Sequence, residues 1–471
     1  MDKRNINSRL QDTFYSPSKK TKVNYFAWFQ KKYLLIFLFA GLIVSASFYF
    51  ILHRKKPVYS LSLNLLYKTA VFSKIYATPF LVEYENSQHY FLGAGDVYGT
   101  FHMLDAVSGK KVYHFNTDGA IVAPPFSHKF SFYNEPTPII TDVKGNHYLL
   151  DAHGRYFYLP RTEYPRGPVK AKPVVINNPS GQFIVIGNSS GNVYAVGPEY
   201  GFLEWQNETS QLKGQEIVAS PCAVDINGDD CDDVIFCSVP GTISAFDGRN
   251  GNEIWSIHSG FDIKASPVIA GITRSAPEVL ITGMNGSCLI IDPFAGKKTA
   301  SYALKSSCVA TPWVHLKSIR HAIILTASAD GVVYEIQFQS PDTNAQIREV
   351  YRDVQRLPFR ASPLVFSLNN HAFQGVLLAR SDGKITILNL VDYRIYAEFN
   401  IQGEITATPL VADINSSGLP EIIICSENGF IYCLSLTTLP PIRSKSNSSY
   451  KEFLTSSKNG NVLFKRRLPW F

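Results

Sequence analysis

A short phrase returns along this chain and limits what it can fold into: a small residue, one variable residue, proline, then a β-rich run. It reads Ala77-Thr78-Pro79, Ala171-Lys172-Pro173, Ala219-Ser220-Pro221, Ala265-Ser266-Pro267, Ala310-Thr311-Pro312, Ala361-Ser362-Pro363 and Ala407-Thr408-Pro409. A weaker copy lies at Ala123-Pro124-Pro125 or at Pro136-Thr137-Pro138. Counted through Pro125, successive prolines are 46, 48, 48, 46, 45, 51 and 46 residues apart. A repeat of about 40–50 residues is that of a propeller blade. The chain is therefore expected to be all-β, an eight-bladed β-propeller of four-stranded blades over 57–437. Small residues suit inner strands that converge on an axis, and proline at a strand's first residue forfeits no ladder hydrogen bond. The phrase reads as a packing element.

Within each repeat an apolar strand, a glycine turn and another strand follow. Ser190-Gly191, Pro240-Gly241, Asn285-Gly286, Asp330-Gly331, Asp382-Gly383 and Asn428-Gly429 supply the positive φ of a tight hairpin. A further turn then leads to an outer strand carrying an aromatic, most clearly from Gly201 to Trp205 and from Asp247 to Trp255. Blade eight turns polar at Thr437 before a fourth strand can form. Leu61–Lys68 (LSLNLLYK) lies where other repeats place that strand, so an N-terminal strand is expected to close the ring and remove its open edges. The stretch between Pro124 and Pro138 (FSHKFSFYNEPT) and the Pro/Arg-rich LPRTEYPRGPVK read as loop insertion in blade two, a variable connection or a partner-binding lip.

The flanks differ in kind. Residues 1–32 are polar and basic, without apolar periodicity, and read as a disordered cytoplasmic segment. Residues 33–52 (YLLIFLFAGLIVSASFYFIL) carry no charge, and twenty helical residues span about 30 Å, enough for one transmembrane helix. Ser45-Ala46-Ser47 resembles a signal-peptide cleavage site. The long leader and the apolar Phe48–Leu52 beyond it favour an uncleaved signal anchor. The Lys/Arg excess before the span places the N-terminus in the cytoplasm and the propeller outside it. The tail 438–471 is Ser/Lys-rich and ends in KRRLPWF, a flexible extension or a basic docking peptide.

The net charge of +7 resides in these flanks: residues 1–32 carry +6, Arg54–Lys56 +3 and the tail +6, leaving −8 for the remainder. An acidic propeller argues against nucleic acid as ligand, whereas basic flanks suit anionic lipid or an acidic partner. Seven cysteines, none adjacent and none in CxxC spacing, signal neither a zinc site nor a disulfide framework. Cys425 and Cys433 flank the Asn428-Gly429 turn and stand open as a cross-hairpin pair.

The order A-[ST]-P, strand, xG turn, strand, D-x-x-x-G-x-x-x-W resembles the repeats of the pyrroloquinoline-quinone (PQQ)-like propeller superfamily, which includes quinoprotein alcohol dehydrogenases and outer-membrane-assembly lipoproteins. The resemblance covers 57–437 and is clearest over Ala219–Trp255. Inside it, Asp225-Ile-Asn227-Gly228-Asp229-Asp230-Cys231-Asp232-Asp233 resembles the calcium loop of FG-GAP (integrin-like) repeats. By that resemblance the metal ligands are Asp225, Asn227, Asp229, Asp233 and the carbonyl of Cys231, an oxygen set suited to calcium, which takes about six to eight such ligands. A solvated acidic turn is the alternative. The family usually has glycine where Asp230 stands. Asp413-Ile-Asn415-Ser416-Ser417-Gly418-Leu419-Pro420-Glu421 in blade eight reads as a degenerate relative.

Quinoprotein dehydrogenases use a vicinal cysteine pair, and none is present here, so PQQ is not expected. No G-x-S-x-G elbow occurs, and the eleven histidines are scattered. The expectation is a non-catalytic, membrane-tethered platform for a protein or peptide partner on the propeller face. A PQQ-dependent dehydrogenase-like enzyme is the alternative.

Overall fold

The computed structural model describes residues 60–439 except 86, 88, 158–163, 166, 208–209, 271–276, 319–320, 340–344 and 369–372. The expected membrane span at 33–52 and most of the tail lie outside the described residues. Among the described residues no helix is long and apolar enough to cross a membrane.

Thirty-two strands form eight antiparallel sheets of four. In chain order, β2 (Phe80–Glu83) to β5 (Lys111–Asn116) make blade one, and each next set of four makes the next blade. Each proline of the repeated phrase immediately precedes the innermost strand of its blade, from Pro79 before β2 to Pro409 before β30 (Leu410–Ala412). There its missing N–H leaves the ladder intact. In blade two the phrase is the copy ending at Pro125, because β6 (Phe126–His128) follows it, whereas Pro138 lies within β7 (Thr137–Thr141). All eight alanines of the phrase are buried.

Closure uses the N-terminal strand. β1 (Ser60–Ala70) pairs with β32 (Phe430–Leu439) over ten residue pairs, with a bulge between Leu65 and Tyr67, so blade eight has the order β1-β32-β31-β30. Both strands run further than the polar boundary at Thr437 suggests. Leu61 and Leu63 enter a core shared with Phe366, Phe373, Leu434 and Leu436, which joins blades seven and eight.

The cores lie between neighbouring blades because each blade's second and third strands are buried on both faces, as in β15 (Asp233–Cys237) and β16 (Thr242–Phe246). At the rim the outer-strand aromatic crosses to the next blade. The Trp205 indole N–H donates to Gly248 O at 2.9 Å, and its ring covers Gly251, where a Cβ would stand 2.4 Å from the indole. Gly251 also has φ +75°, so two independent constraints select glycine. Trp255 repeats the contact on Pro293 and Gly296, while Tyr113 on Gly154 and Tyr67 on Gly109 do the same with a smaller ring. The docking device thus extends beyond the two tryptophan blades legible in the sequence.

Of the two irregular stretches in blade two, LPRTEYPRGPVK lies half outside the described residues. The described part of the blade's outer strand is β9 (Tyr156–Phe157). The aromatic stretch after β6 turns inward: Phe130 is fully buried against His128, Phe132 and Tyr133 and joins the core between blades two and three. Its Phe130 is core.

All seven cysteines are free and six are buried. Cys425 stands opposite Ile431 and Cys433 opposite Ile423, so the two are offset across the hairpin rather than paired.

Candidate functional site

The acidic loop joins β14 (Cys222–Val224) to β15 at one end of blade four. Asp225 accepts the Gly228 amide at 2.7 Å, the Asp229 amide at 3.3 Å and the Asp230 amide at 3.2 Å. Asn227 Oδ1 accepts the Asp229 amide at 3.1 Å, and Asp229 accepts that of Cys231 at 3.0 Å. Three of the expected ligands therefore surround one run of amides, 228–231. Asp233 faces elsewhere. It is fully buried and takes the Ile226 amide at 2.8 Å on one oxygen and the Gly248 amide at 2.9 Å on the other. Burial pushes its carboxyl above the ordinary range, and the amides of Gly248 and Ile226 oppose that shift. Arg249 donates to Asp229 O at 2.8 Å and pairs with its carboxylate at 3.3 Å, supplying one positive charge.

The donor set is made of oxygens, the chemistry a hard cation takes. Among the described residues, however, no three acids, histidines or cysteines gather closely enough to hold a metal ion. Blade eight contains a natural control. Asp413 accepts the Ser417 and Gly418 amides at 2.9 and 2.8 Å, Asn415 accepts the Ser417 amide at 2.9 Å, and Glu421 accepts the Ile414 amide at 3.1 Å. These repeat the contacts of Asp225 with the Asp229 and Asp230 amides, of Asn227 with the Asp229 amide and of Asp233 with the Ile226 amide, position for position. Left-handed backbone falls at the same two places, Gly228 and Asp230 in one loop, Ser416 and Gly418 in the other. Asp230 occupies a glycine position with φ +61°, which aspartate tolerates better than most side chains. The shape common to both loops comes from carboxylates capping backbone amides.

The second site is formed by the repeated phrase itself. Its variable residues do more than pack. The Lys172 amide donates to Ser220 Oγ at 3.2 Å, Ser220 to Ser266 at 3.0 Å and Ser266 to Thr311 at 3.2 Å. Thr311 donates to Ser362 at 3.1 Å, Ser362 to Thr408 at 3.1 Å, and Thr408 to Thr78 at 3.2 Å across the closure of the ring. A belt of amide-to-hydroxyl bonds thus links blade three onward through blade eight to blade one. It is interrupted where Pro124 offers neither an N–H nor a hydroxyl and where Lys172 replaces the hydroxyl.

These residues line a cavity of about 510 Å³ at the axis. Lys172 and Arg360 line it as well, and none of its lining residues is acidic. The Lys172 ammonium stands 5.0 Å from the centroid of the Phe126 ring, on the side where the belt is broken. The blade ends crowding the mouth lower its pKa below the ordinary lysine value, although the side chain itself stays exposed to solvent. Sequence reasoning assigned the phrase to packing. The signal available was the hydroxyl at six of its eight variable positions.

Around this mouth, linkers between blades run beside the turns joining second to third strands, as where the Val97 amide donates to Lys74 O at 3.1 Å. Tyr98 lies on this end of blade one and is 81% exposed, Phe72 on the linker from blade eight into blade one is 83% exposed, and Val354 on the linker into blade seven is 97% exposed. Phe72 also has φ +63°, a conformation that burdens an aromatic residue and that no burial offsets.

A family model described as outer membrane protein assembly factor BamB matches residues 84–337, more than half of the chain. Among solved structures, BamB from Moraxella catarrhalis superposes with TM-score 0.56 at 15% identity, covering 79% of this chain and 97% of that one. The Saccharomyces cerevisiae protein Sqt1 gives 0.58 at 12% identity, covering 80% and 99%. The computationally designed protein Ika8 gives 0.56 at 14% identity, covering 80% and 99%. At these identities the superpositions speak for the propeller fold alone. No curated protein sequence matches the chain.

Proposed function

The chain belongs to the family described as outer membrane protein assembly factor BamB, and from this premise we propose that it is a non-catalytic scaffold that holds a protein partner in the assembly of a cell envelope or surface. The observation that carries the reading is the axial-mouth end of the ring, where Phe72, Tyr98 and Val354 stand out from a surface of turns. Aromatic anchors surrounded by polar turns are the usual energetic centres of protein interfaces. The charge-free stretch at 33–52, flanked by Lys31-Lys32 and Arg54-Lys55-Lys56, supports one uncleaved membrane anchor with the propeller outside the cytoplasm.

Full-length protein solubilised in detergent should co-purify with a specific partner. Phe72→Ser with Tyr98→Ser should cut its recovery about tenfold or more, as loss of two anchors does, while leaving the melting temperature unchanged. A quinone absorbance band in the purified protein would instead establish the dehydrogenase-like alternative. Equal partner recovery by the double variant would move the interface elsewhere.

The acidic loop is proposed as a structural calcium site formed by Asp225, Asn227, Asp229 and the Cys231 carbonyl, with Asp233 joining them only if it gives up the Ile226 or Gly248 amide. Five acids in nine residues support the reading, because one arginine offsets only part of their mutual repulsion. EDTA should lower the melting temperature by about 1–3 °C, the shift that about 1–2 kcal/mol makes on a domain of this size, and Asp225→Ala should abolish that sensitivity. An unchanged melting curve in EDTA would leave the loop to its hydrogen bonds, like the loop Asp413–Glu421.

A further inference from the structure

The belt at the axis collects hydrogen-bond donors and leaves them without acceptors. Each of its six hydroxyls uses its oxygen to accept an amide of the preceding blade. Among the described residues, none of the six donates its own proton to a protein acceptor. A hydroxyl that has accepted an N–H still has one O–H to give. Lys172 and Arg360, both lining the same cavity, form no ion pair among the described residues. They belong to blades three and seven, which stand opposite each other in a ring of eight. The nearby acid Glu216 is engaged by Lys170 at 2.6 Å and does not line the cavity. A cavity of about 510 Å³ is within the range of small-ligand sites.

We propose that the axial mouth is an anion site that takes a compact carboxylate- or phosphate-bearing group, held between Lys172 and Arg360 with the belt hydroxyls donating to its oxygens. Donors fixed by a backbone belt are preorganised, so an anion entering here meets oriented O–H groups rather than water that must reorganise. The break in the belt at Pro124 and Lys172 gives the site its asymmetry. One wall carries a lysine above an aromatic face, and the other carries a guanidinium able to hold two oxygens at once. This goes beyond the scaffold reading, because the site needs no protein partner to fill.

The test uses the full chain and three probes at matched ionic strength: inorganic phosphate, citrate and a hexaglutamate peptide. Phosphate or citrate should bind measurably by calorimetry and raise the melting temperature. Lys172→Met with Arg360→Met should weaken that binding at least about tenfold, while Lys172→Arg with Arg360→Lys keeps most of it. Hexaglutamate binding displaced by citrate would show that the mouth also admits carboxylates presented on a peptide. The proposal is overturned if none of the three binds, or if affinity is the same in the methionine double variant. The melting temperature without anion reports whether that variant is folded. Should it be unfolded, Ser266→Ala with Thr311→Val removes two donors and must still weaken citrate. A mouth that binds citrate in a protein with no co-purifying partner separates this inference from the scaffold reading.

Discussion

A chain lacking residues 59–70 should lose cooperative folding. β1 supplies the outermost strand of the blade where the ring meets itself, and its removal exposes ten backbone positions of β32 as an open edge. It also strips Leu61 and Leu63 from the core between blades seven and eight and uncovers Tyr432, Leu434 and Leu436. At about 1.5–3 kcal/mol for each fully buried apolar side chain, the two leucines alone account for roughly 3–6 kcal/mol. That is comparable with the 5–15 kcal/mol typical of a whole domain. Urea unfolding monitored by fluorescence should show a broadened transition at much lower midpoint, or aggregation. A permuted chain supplies the control. Ser60 pairs with Leu439, so residues 60–70 appended after Leu439 through an Asn-Gly turn would re-enter the same register. That permutant should regain most of the wild-type midpoint. A deletion variant that unfolds as the full chain does would show that closure contributes little.

The closing strand was legible because blade eight visibly lacks a fourth strand and LSLNLLYK has no other place in the repeat. The period of the phrase likewise gave the blade count, and proline gave the start of each inner strand. The same phrase concealed its second role. Whether Ser220 packs or bonds is decided by Ser266, 46 residues on, and that pairing exists only once the blades stand round an axis. Lys172 passed as the variable residue of a regular copy, and Pro124 as part of a weaker one. In the structure they are where the belt opens and where a cation enters the mouth. For the acidic loop the sequence supplied the oxygen-bearing side chains and their order. It could not show that Asp233 turns to Gly248, a residue fifteen positions later on the next hairpin. The rim contacts of Tyr67 and Tyr113 were hidden for a chemical reason: a pattern keyed on tryptophan passes over tyrosine, although either ring can cover a glycine.

The other large effect is expected at a cluster with no sequence signature. The Arg380 guanidinium is 8% exposed, and it binds Asp382 through two nitrogens at 2.7 Å each, Asp353 at 2.5 Å and Gln355 at 2.8 Å. Asp353 and Gln355 lie on the linker from blade six, and Asp382 lies on the hairpin of blade seven, so one arginine ties two blades together. Its partners Asp382 and Asp353 raise its pKa, and it holds Asp382 below the ordinary carboxylate range. Arg380→Ala leaves the Asp353 carboxylate, 3% exposed, without its counter-charge, and should cost about 3–5 kcal/mol. An exposed pair such as Lys170–Glu216, each 42% exposed, should by contrast cost no more than about 1 kcal/mol when broken. Urea midpoints of the two variants separate these cases. Arg380→Met combined with Asp353→Asn removes both buried charges and should recover more than half of the loss, because the cost lies in the stranded carboxylate. The pH dependence follows from the depressed Asp382 pKa. Its contribution is present above the ordinary carboxylate range and disappears as pH falls through the lowered value, so acid should narrow the gap between wild type and Arg380→Ala. A single variant within 1 kcal/mol of wild type at neutral pH would place the cluster with the surface pairs and leave the joint between blades six and seven to apolar packing alone.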